Sequence, residues 1–353
     1  MGKKIRVLII DDSALVREIL ATGLAADPDI EVVGTATDPF NAKDKIVKLR
    51  PDVMTLDVEM PRMDGVEFLR QFMPQFPVPV VMVSALTERG RKITLEALDA
   101  GAVDFVTKPK NNLAEGLQGM MQQLVMKVKV ASTANVSKWK DRTPVRPAAP
   151  APSRPLAAST NQVIVIGAST GGTEAIREVV QKFPVTTPGV VITQHMPAGF
   201  TKLFAERLDS LVPMQVKEAA DGDSIIPGRI LIAPGDFHMS VVRSGGSYKV
   251  QCRPGQKVNG HCPSVEVMMK SAATALGKHA VGIMLTGMGS DGARGLLAMR
   301  QAGARTLAQD EASSVVFGMP KVAFEIGGAE KLVALDRIAD SVLQWLNKKE
   351  ERV

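Results

Sequence analysis

Cysteine is nearly absent from this chain: Cys252 and Cys262 are the only two in 353 residues. They give no disulfide framework, and a reducing, cytoplasmic setting is expected. No run of about 20 apolar residues occurs, so no membrane span is expected. Met1-Gly2-Lys3-Lys4-Ile5-Arg6 puts basic residues before an apolar run, but that run is short and meets Asp11 and Asp12 at once, unlike a secretory signal. Arg6 stands where a myristoylation signal needs Ser or Thr. A broad basic face is missing too. The net charge is +6, yet residues 1–125 hold 15 Lys and Arg against 18 Asp and Glu, and residues 161–353 hold 21 against 18. The excess lies in residues 126–160, with 7 against 1, which argues against a nucleic-acid surface. Internal repeats are absent as well.

What is present suits about two domains of ~150 residues each, with an ordinary apolar fraction of 45%. The stretch Val163-Ile164-Val165-Ile166-Gly167-Ala168-Ser169-Thr170-Gly171-Gly172 organises the second of them. Four apolar, mostly β-branched residues read as a buried strand. A glycine-framed turn follows, then a helical pattern at Ala175, Ile176, Val179 and Val180. Strand, sharp turn and helix lift a serine hydroxyl clear of a sheet, and Gly167-x-Ser169-x-Gly171 has the spacing of a nucleophile turn. The free N–H groups of the helix start could stabilise an oxyanion. Two other readings stay open. The turn could cradle a phosphate, although the P-loop lysine and the full G-x-G-x-x-G spacing are missing. Ser169 or Thr170 could simply cap the helix.

The first part of the chain alternates strand and helix. Strands are expected at Ile5–Ile10, Glu31–Thr35, Val53–Leu56, Val80–Val83 and Val103–Val106, with a helix through Ala14, Leu15, Ile19, Leu20 and Leu24 between the first two. Such alternation implies βαβ units and a parallel sheet, with ligands at the carboxyl ends of the strands. Those ends carry Asp11, Asp12, Asp57, Ser84 and Lys108-Pro109. Three carboxylates together suit Mg²⁺, a hard cation that keeps several waters. A carboxylate beside it can accept a phosphoryl group, Ser84 can hydrogen-bond the new phosphate and Lys108 can neutralise it. Taken singly, Asp12 or Ser13 could be a helix cap, Asp57 a strand end and Lys108 a solvated charge.

Asp11-Asp12, the run Leu56-Asp57-Val58-Glu59-Met60-Pro61-Arg62-Met63-Asp64-Gly65, Ser84-Ala85 and Lys108-Pro109 together resemble the receiver domain of bacterial two-component response regulators. The resemblance implies that Asp57 is the phosphoacceptor, with a histidine kinase as phosphodonor. It implies Mg²⁺ on Asp11 or Asp12 (or both), on Asp57 and on the carbonyl of Glu59. It also implies a switch through Ser84 and the aromatic Phe105.

A helix patterned on Leu113, Leu117, Met121, Leu124 and Val128 leads to a stretch at 143–160 where prolines crowd in and periodicity vanishes, an extended linker. Strands are then expected at Val163–Ile166, Val190–Thr193, Arg229–Ala233, Val281–Leu285 and Thr306–Ala308. Helices are expected at Glu174–Lys182, Phe200–Leu208, Val265–Leu276, Arg294–Ala302 and Leu332–Asn347, and a hairpin between His238 and Cys252 turning at Gly245-Gly246. Of the four histidines, His195 alone follows a strand as Ser169 does. His238 reads as a turn residue, His261 as part of a polar loop, and His279 as exposed. Asp291 closes a second glycine-rich loop, Gly287-Met288-Gly289-Ser290-Asp291-Gly292, where it could cap the following helix or orient the imidazole. Three strand ends thus supply Ser169, His195 and Asp291, with His195 Nε2 expected on the serine hydroxyl. The order differs from that of α/β-hydrolases, where the acid precedes the histidine. A Cys262–His261 dyad is disfavoured because adjacent residues of an extended chain point to opposite sides.

Ile166-Gly167-Ala168-Ser169-Thr170-Gly171-Gly172, Gln194-His195-Met196-Pro197, Ala233-Pro234-Gly235-Asp236-Phe237-His238, Pro263-Ser264-Val265-Glu266 and Leu285 to Ala293 resemble the catalytic domain of chemotaxis protein-glutamate methylesterases. This resemblance covers residues 162 to about 348. It implies hydrolysis of glutamate methyl esters on methylated chemoreceptors, deamidation of receptor glutamines, no cofactor for the hydrolytic step, and inhibition by the receiver at rest that phosphate on Asp57 relieves. Backbone N–H groups near Thr170 and Met288 are the oxyanion candidates. The expected architecture is α/β: two doubly wound parallel-sheet domains, a flavodoxin-like receiver at 1–125 and a larger hydrolytic domain with a hairpin at 161–353. A helix extension and a Pro/Ala-rich linker at 126–160 join them. A DNA-binding output domain fits poorly, being a small helix-turn-helix module with a basic face. A non-catalytic adaptor differs from a hydrolase by whether Ser169 is needed for turnover.

Overall fold

The structure is a computed structural model and describes residues 3–85, 87–109, 113–140 and 161–348. The Pro-rich stretch 143–160 lies outside the described residues. The chain divides into two compact units, Met1–Arg146 and Pro147–Val353.

The first unit alternates β1 (Ile5–Ile10), α1 (Ala14–Ala25), β2 (Ile30–Ala36), α2 (Pro39–Leu49), β3 (Val53–Asp57), α3 (Gly65–Phe72), β4 (Val80–Ala85), α4 (Glu88–Asp99), β5 (Asp104–Lys108) and α5 (Leu113–Ala131). The sheet order is β2-β1-β3-β4-β5, with every pairing parallel. Strands β1 and β3 are central, which is why Val7 to Ile10 and Val53 to Leu56 are buried on both faces. Chain order reverses between them, so Asp11, Asp12 and Asp57 gather at the switch point of the sheet. Ser13 caps α1, accepting from Val16 N–H.

This unit continues past residue 125. Helix α5 runs to Ala131, and a 3₁₀ turn at Ser137–Trp139 folds back onto the unit. Val128, Ala131, Val136 and Trp139 are buried. Gly101, at φ 113°, lies under the Trp139 ring, where a Cβ would come within 3.0 Å of it.

The second unit opens with β6 (Val163–Ala168), α6 (Gly172–Val180), β7 (Gly189–Gln194), α7 (Phe200–Asp209), β8 (Gln215–Glu218) and β9 (Arg229–Ile232). A hairpin of β10 (Phe237–Ser244) and β11 (Ser247–Pro254) follows, then α8 (Val265–Leu276), β12 (Ala280–Met284), α9 (Ala293–Gln301), β13 (Arg305–Gln309), α10 (Met319–Glu325), β14 (Leu332–Val333) and α11 (Leu335–Lys348). Seven parallel strands run in the order β14-β13-β12-β6-β7-β9-β8. Five of these follow from the apolar pattern. The other two are short edge strands: β8 is mostly polar, and β14 occupies the first two residues of the expected Leu332–Asn347 helix. His238 lies within β10 and not in a turn. Strand β6 is central, flanked by β12 and β7, and its apolar residues are fully covered. The chain goes to one side of β6 through β7 and later to the other through β12, which makes its carboxyl end the switch point of this sheet.

Candidate active site

Sheet register places the catalytic candidates. Ala168 on β6 pairs with Gln194 on β7, so Ser169 and His195 leave neighbouring strands one residue later. On the other side Met284 of β12 pairs with Gly167. Backbone bonds extend these pairings past the strands: His195 N–H to Ala168 O at 3.2 Å, Leu285 N–H to Gly167 O at 2.9 Å, and Ser169 N–H to Thr286 O at 3.0 Å. Gln194, buried, donates from Nε2 to the carbonyls of Ser169 (2.9 Å) and His195 (3.3 Å), joining the two turns.

Two glycines in this stretch are required by close approach. A Cβ on Gly167 would lie 2.2 Å from Val265 Cγ1, at the start of α8, and one on Gly172 would lie 2.1 Å from Gln194 Oε1. Helix α6 is capped by Gly171, at φ 75°, with no side-chain cap, so neither Ser169 nor Thr170 caps it.

The tight packing at Gly167 brings the α8 N-terminus to the site, and Asp291 is bound there. Its Oδ2 accepts from His195 Nε2 (2.8 Å) and Val265 N–H (2.7 Å). Its Oδ1 accepts from Asn259 Nδ2 and the Ser264 hydroxyl (2.8 Å each) and, at 3.4 Å, from Glu266 N–H. Asp291 therefore caps α8, not the α9 helix that follows it in sequence; α9 is capped by Gly292. Burial alone would raise its pKa, but hydrogen bonds from His195, Asn259 and Ser264 and the charge of an imidazolium outweigh it and hold the carboxyl at about 2.

One expectation about atoms is corrected. His195 Nε2 faces Asp291, because the ring's far nitrogen reaches across to the α8 N-terminus. Nδ1 is then the nitrogen left for a proton; it is buried and hydrogen-bonds to no described residue. His195 and Asp291 are thus brought into contact, while Ser169 sits at the adjacent strand end without a hydrogen bond to the ring. The Ser169 N–H is committed to Thr286 O and the Gly287 N–H to Val316 O at 3.1 Å. Of the two oxyanion candidates, Thr170 is buried and the Met288 side chain is half exposed.

Sequence reasoning missed three neighbours of the site. Asn259 and Ser264 bind Asp291, and His261 stacks on His195 with centroids 3.6 Å apart and planes 6° from parallel. Ser264 had a detectable signal, a serine immediately before the apolar pattern of α8. Asn259 and His261 had none, lying in a loop without periodicity.

In the first unit, ligand atoms of Asp11, Asp12 and Asp57 lie within 4.8 Å of one another. Asp11 and Asp57 are buried and Asp12 is exposed. Lys108 Nζ bridges Asp57 Oδ2 (2.8 Å) and Asp11 Oδ2 (3.1 Å). Burial pushes Asp57 up to about 6 against the pull of Lys108, and the Asp11 charge adds to the rise. For Lys108 burial acts downward, but Asp57 and Asp11 outweigh it and hold the ammonium above its ordinary value. The Glu59 side chain points to Arg89, 3.8 Å away, which leaves its carbonyl as the potential ligand. The Ser84 hydroxyl is engaged with Thr94 Oγ1 (2.6 Å) and Gly90 O (3.3 Å). Phe105 is buried, with Lys127 Nζ 5.1 Å from its ring centre.

Fold and site together define a class: an aspartate-cluster receiver domain joined to an α/β hydrolytic domain. Residues 7–119 match the response regulator receiver domain family and residues 164–342 the CheB methylesterase family. The protein-glutamate methylesterase/protein-glutamine glutaminase of Syntrophotalea carbinolica is 67% identical over 99% of both chains, and that of Bordetella bronchiseptica is 52% identical over 99% of this chain and all of its own. The crystal structure of the Thermotoga maritima CheB methylesterase catalytic domain is 36% identical with a TM-score of 0.51, covering 52% of this chain and 98% of that one. The chain belongs to the CheB methylesterase family, with a receiver domain ahead of the catalytic domain. Among the described residues no helix is long and apolar enough to cross a membrane.

Proposed function

We propose that this protein hydrolyses glutamate methyl esters on chemoreceptors and deamidates receptor glutamines, with Ser169, His195 and Asp291 as its catalytic triad, and so serves adaptation in chemotaxis. The observation that carries the reading is the 2.8 Å contact with a buried, ionised Asp291 made by His195, which leaves the strand beside that of Ser169. Asp291 fixes the tautomer with the proton on Nε2 and leaves Nδ1 bare. Nδ1 takes the Ser169 proton as Oγ attacks the γ-carbonyl, then returns it to the leaving methanol, or to ammonia in deamidation. Water hydrolyses the acyl-serine by the same steps in reverse roles. The Met288 N–H, which donates to no described residue, is the better oxyanion donor of the two candidates.

Asp57 is the phosphoacceptor in this reading, supplied by a histidine kinase. The donor set fits Mg²⁺: three carboxylates, two of them buried, and one of those raised to about 6 by burial that Lys108 only partly offsets. Asp11, Asp12, Asp57 and the Glu59 carbonyl would hold the ion, which supplies charge neutralisation for phosphoryl transfer. Lys108 then pairs with the phosphate, and Ser84 leaves Thr94 to bind it, which frees Phe105 to move. The test is methanol release from methylated receptors. Ser169→Ala and His195→Ala should lose nearly all of it, and unchanged turnover in Ser169→Ala would remove the triad.

A further inference from the structure

The loop between β11 and α8 touches both the base and the acid. Asn259 donates to Asp291 Oδ1 at 2.8 Å, and the His261 ring lies flat on the His195 ring. The loop is itself held. Val258 and His261 exchange backbone hydrogen bonds of 3.0 Å each. His238 Nε2 contacts Gln256 O at 2.8 Å and its Nδ1 contacts Ser264 N–H at 3.3 Å, so one imidazole anchors both ends.

His195 needs this neighbour for a geometric reason. Among the described residues its side chain has one hydrogen bond, from Nε2 to Asp291. A ring held at one edge can still tilt about that bond, and a tilt swings Nδ1 away from the serine proton. A parallel ring at van der Waals distance removes that freedom, since tilting either ring breaks the face contact. We propose that His261 is a positioning residue that fixes the plane of the His195 ring through this 3.6 Å stack. The proposal rests on the triad reading given above. It assigns His261 no proton transfer: what matters is a flat aromatic face.

The experiment uses the full chain with His261→Ala and His261→Phe, methanol release from methylated receptors, and NMR of the His195 ring protons. His261→Ala should lower kcat by roughly 10- to 100-fold, the scale of a misplaced catalytic group, with KM unchanged. His261→Phe keeps a flat face and should recover most of kcat. The His195 ring signals should move downfield in His261→Ala, where the neighbour's ring current is gone, and stay near their original positions in His261→Phe. Unchanged kcat in His261→Ala, no recovery in His261→Phe, or ring signals that ignore His261→Ala would each overturn the proposal. Persistent turnover in a parallel Ser169→Ala sample would overturn the triad instead, and the NMR shifts would still report on the stack.

Discussion

Replacing Asp291 by Asn separates the charge of this carboxylate from its shape. Five donors point at it, two on Oδ2 and three on Oδ1. The asparagine amide NH₂ is best placed on the Oδ1 side. There the Ser264 hydroxyl can rotate to accept, the Asn259 amide can turn its oxygen inward, and only the long Glu266 contact is lost. Its oxygen then stays with His195 Nε2–H and Val265 N–H, so the imidazole keeps its tautomer. What disappears is the negative charge. An aspartate held at about 2 instead of 3.8 contributes on the order of 2 kcal/mol to folding at neutral pH. For a unit of this size the loss lowers Tm by about 4–8 °C. Because the folded pKa is depressed, the contribution is complete above 3.8 and fades as pH falls from there toward 2. The Tm gap between parent and variant should narrow over that window. Turnover should fall as well, since the imidazolium loses an ionic partner. A charge-assisted bond worth about 1.5–3 kcal/mol corresponds to roughly 10- to 100-fold, well short of Ser169→Ala. Calorimetry across pH and the methanol assay together decide it. Equal Tm at pH 7 would refute the electrostatic argument, and a turnover loss matching Ser169→Ala would mean the imidazole had flipped its tautomer.

Two further outcomes concern the first unit. A small phosphodonor with Mg²⁺ should label Asp57 alone, and apparent Mg²⁺ affinity by titration calorimetry should weaken below pH 6, by up to about tenfold per pH unit, as Asp57 takes up a proton; label on Asp57→Ala, or affinity flat between pH 5 and 7, contradicts the site. Inhibition by the receiver at rest, implied by family resemblance, predicts that residues 161–353 alone turn over faster than the unphosphorylated full chain and ignore phosphodonor. A fragment no faster than the resting chain would mean that the receiver activates by positive contact.

The sheets were legible because their strands are buried on both faces and read as continuous apolar runs: Val163 to Ile166 is short, wholly β-branched and followed by glycine, which favours a strand over a buried helix. The residues at their carboxyl ends followed, since strand ends are where ligands meet such sheets. Strand β8 escaped because edge strands need no apolar run, and Gln215-Val216-Lys217-Glu218 has none. Of the two roles open to Asp291 in the sequence, the cap on the following helix is not made: adjacency favours α9, while the packing of Gly167 against Val265 delivers α8. The nitrogen that meets Asp291 and the stack of His261 both depend on where an aperiodic loop folds in three dimensions, and no local pattern encodes that.

The 3₁₀ turn that seats Trp139 on Gly101 governs how the first unit can be cut. A fragment ending at residue 125 keeps every phosphoacceptor residue yet bares the surfaces under Val128, Ala131, Val136 and Trp139. A tryptophan alone covers roughly 150–250 Å², and contiguous apolar patches of a few hundred Å² drive association. Such a fragment should clump at high concentration while its phosphorylation chemistry stays intact, so poor signalling by it would report colloidal failure. Cutting after residue 140 keeps the tryptophan seated and the fragment monodisperse.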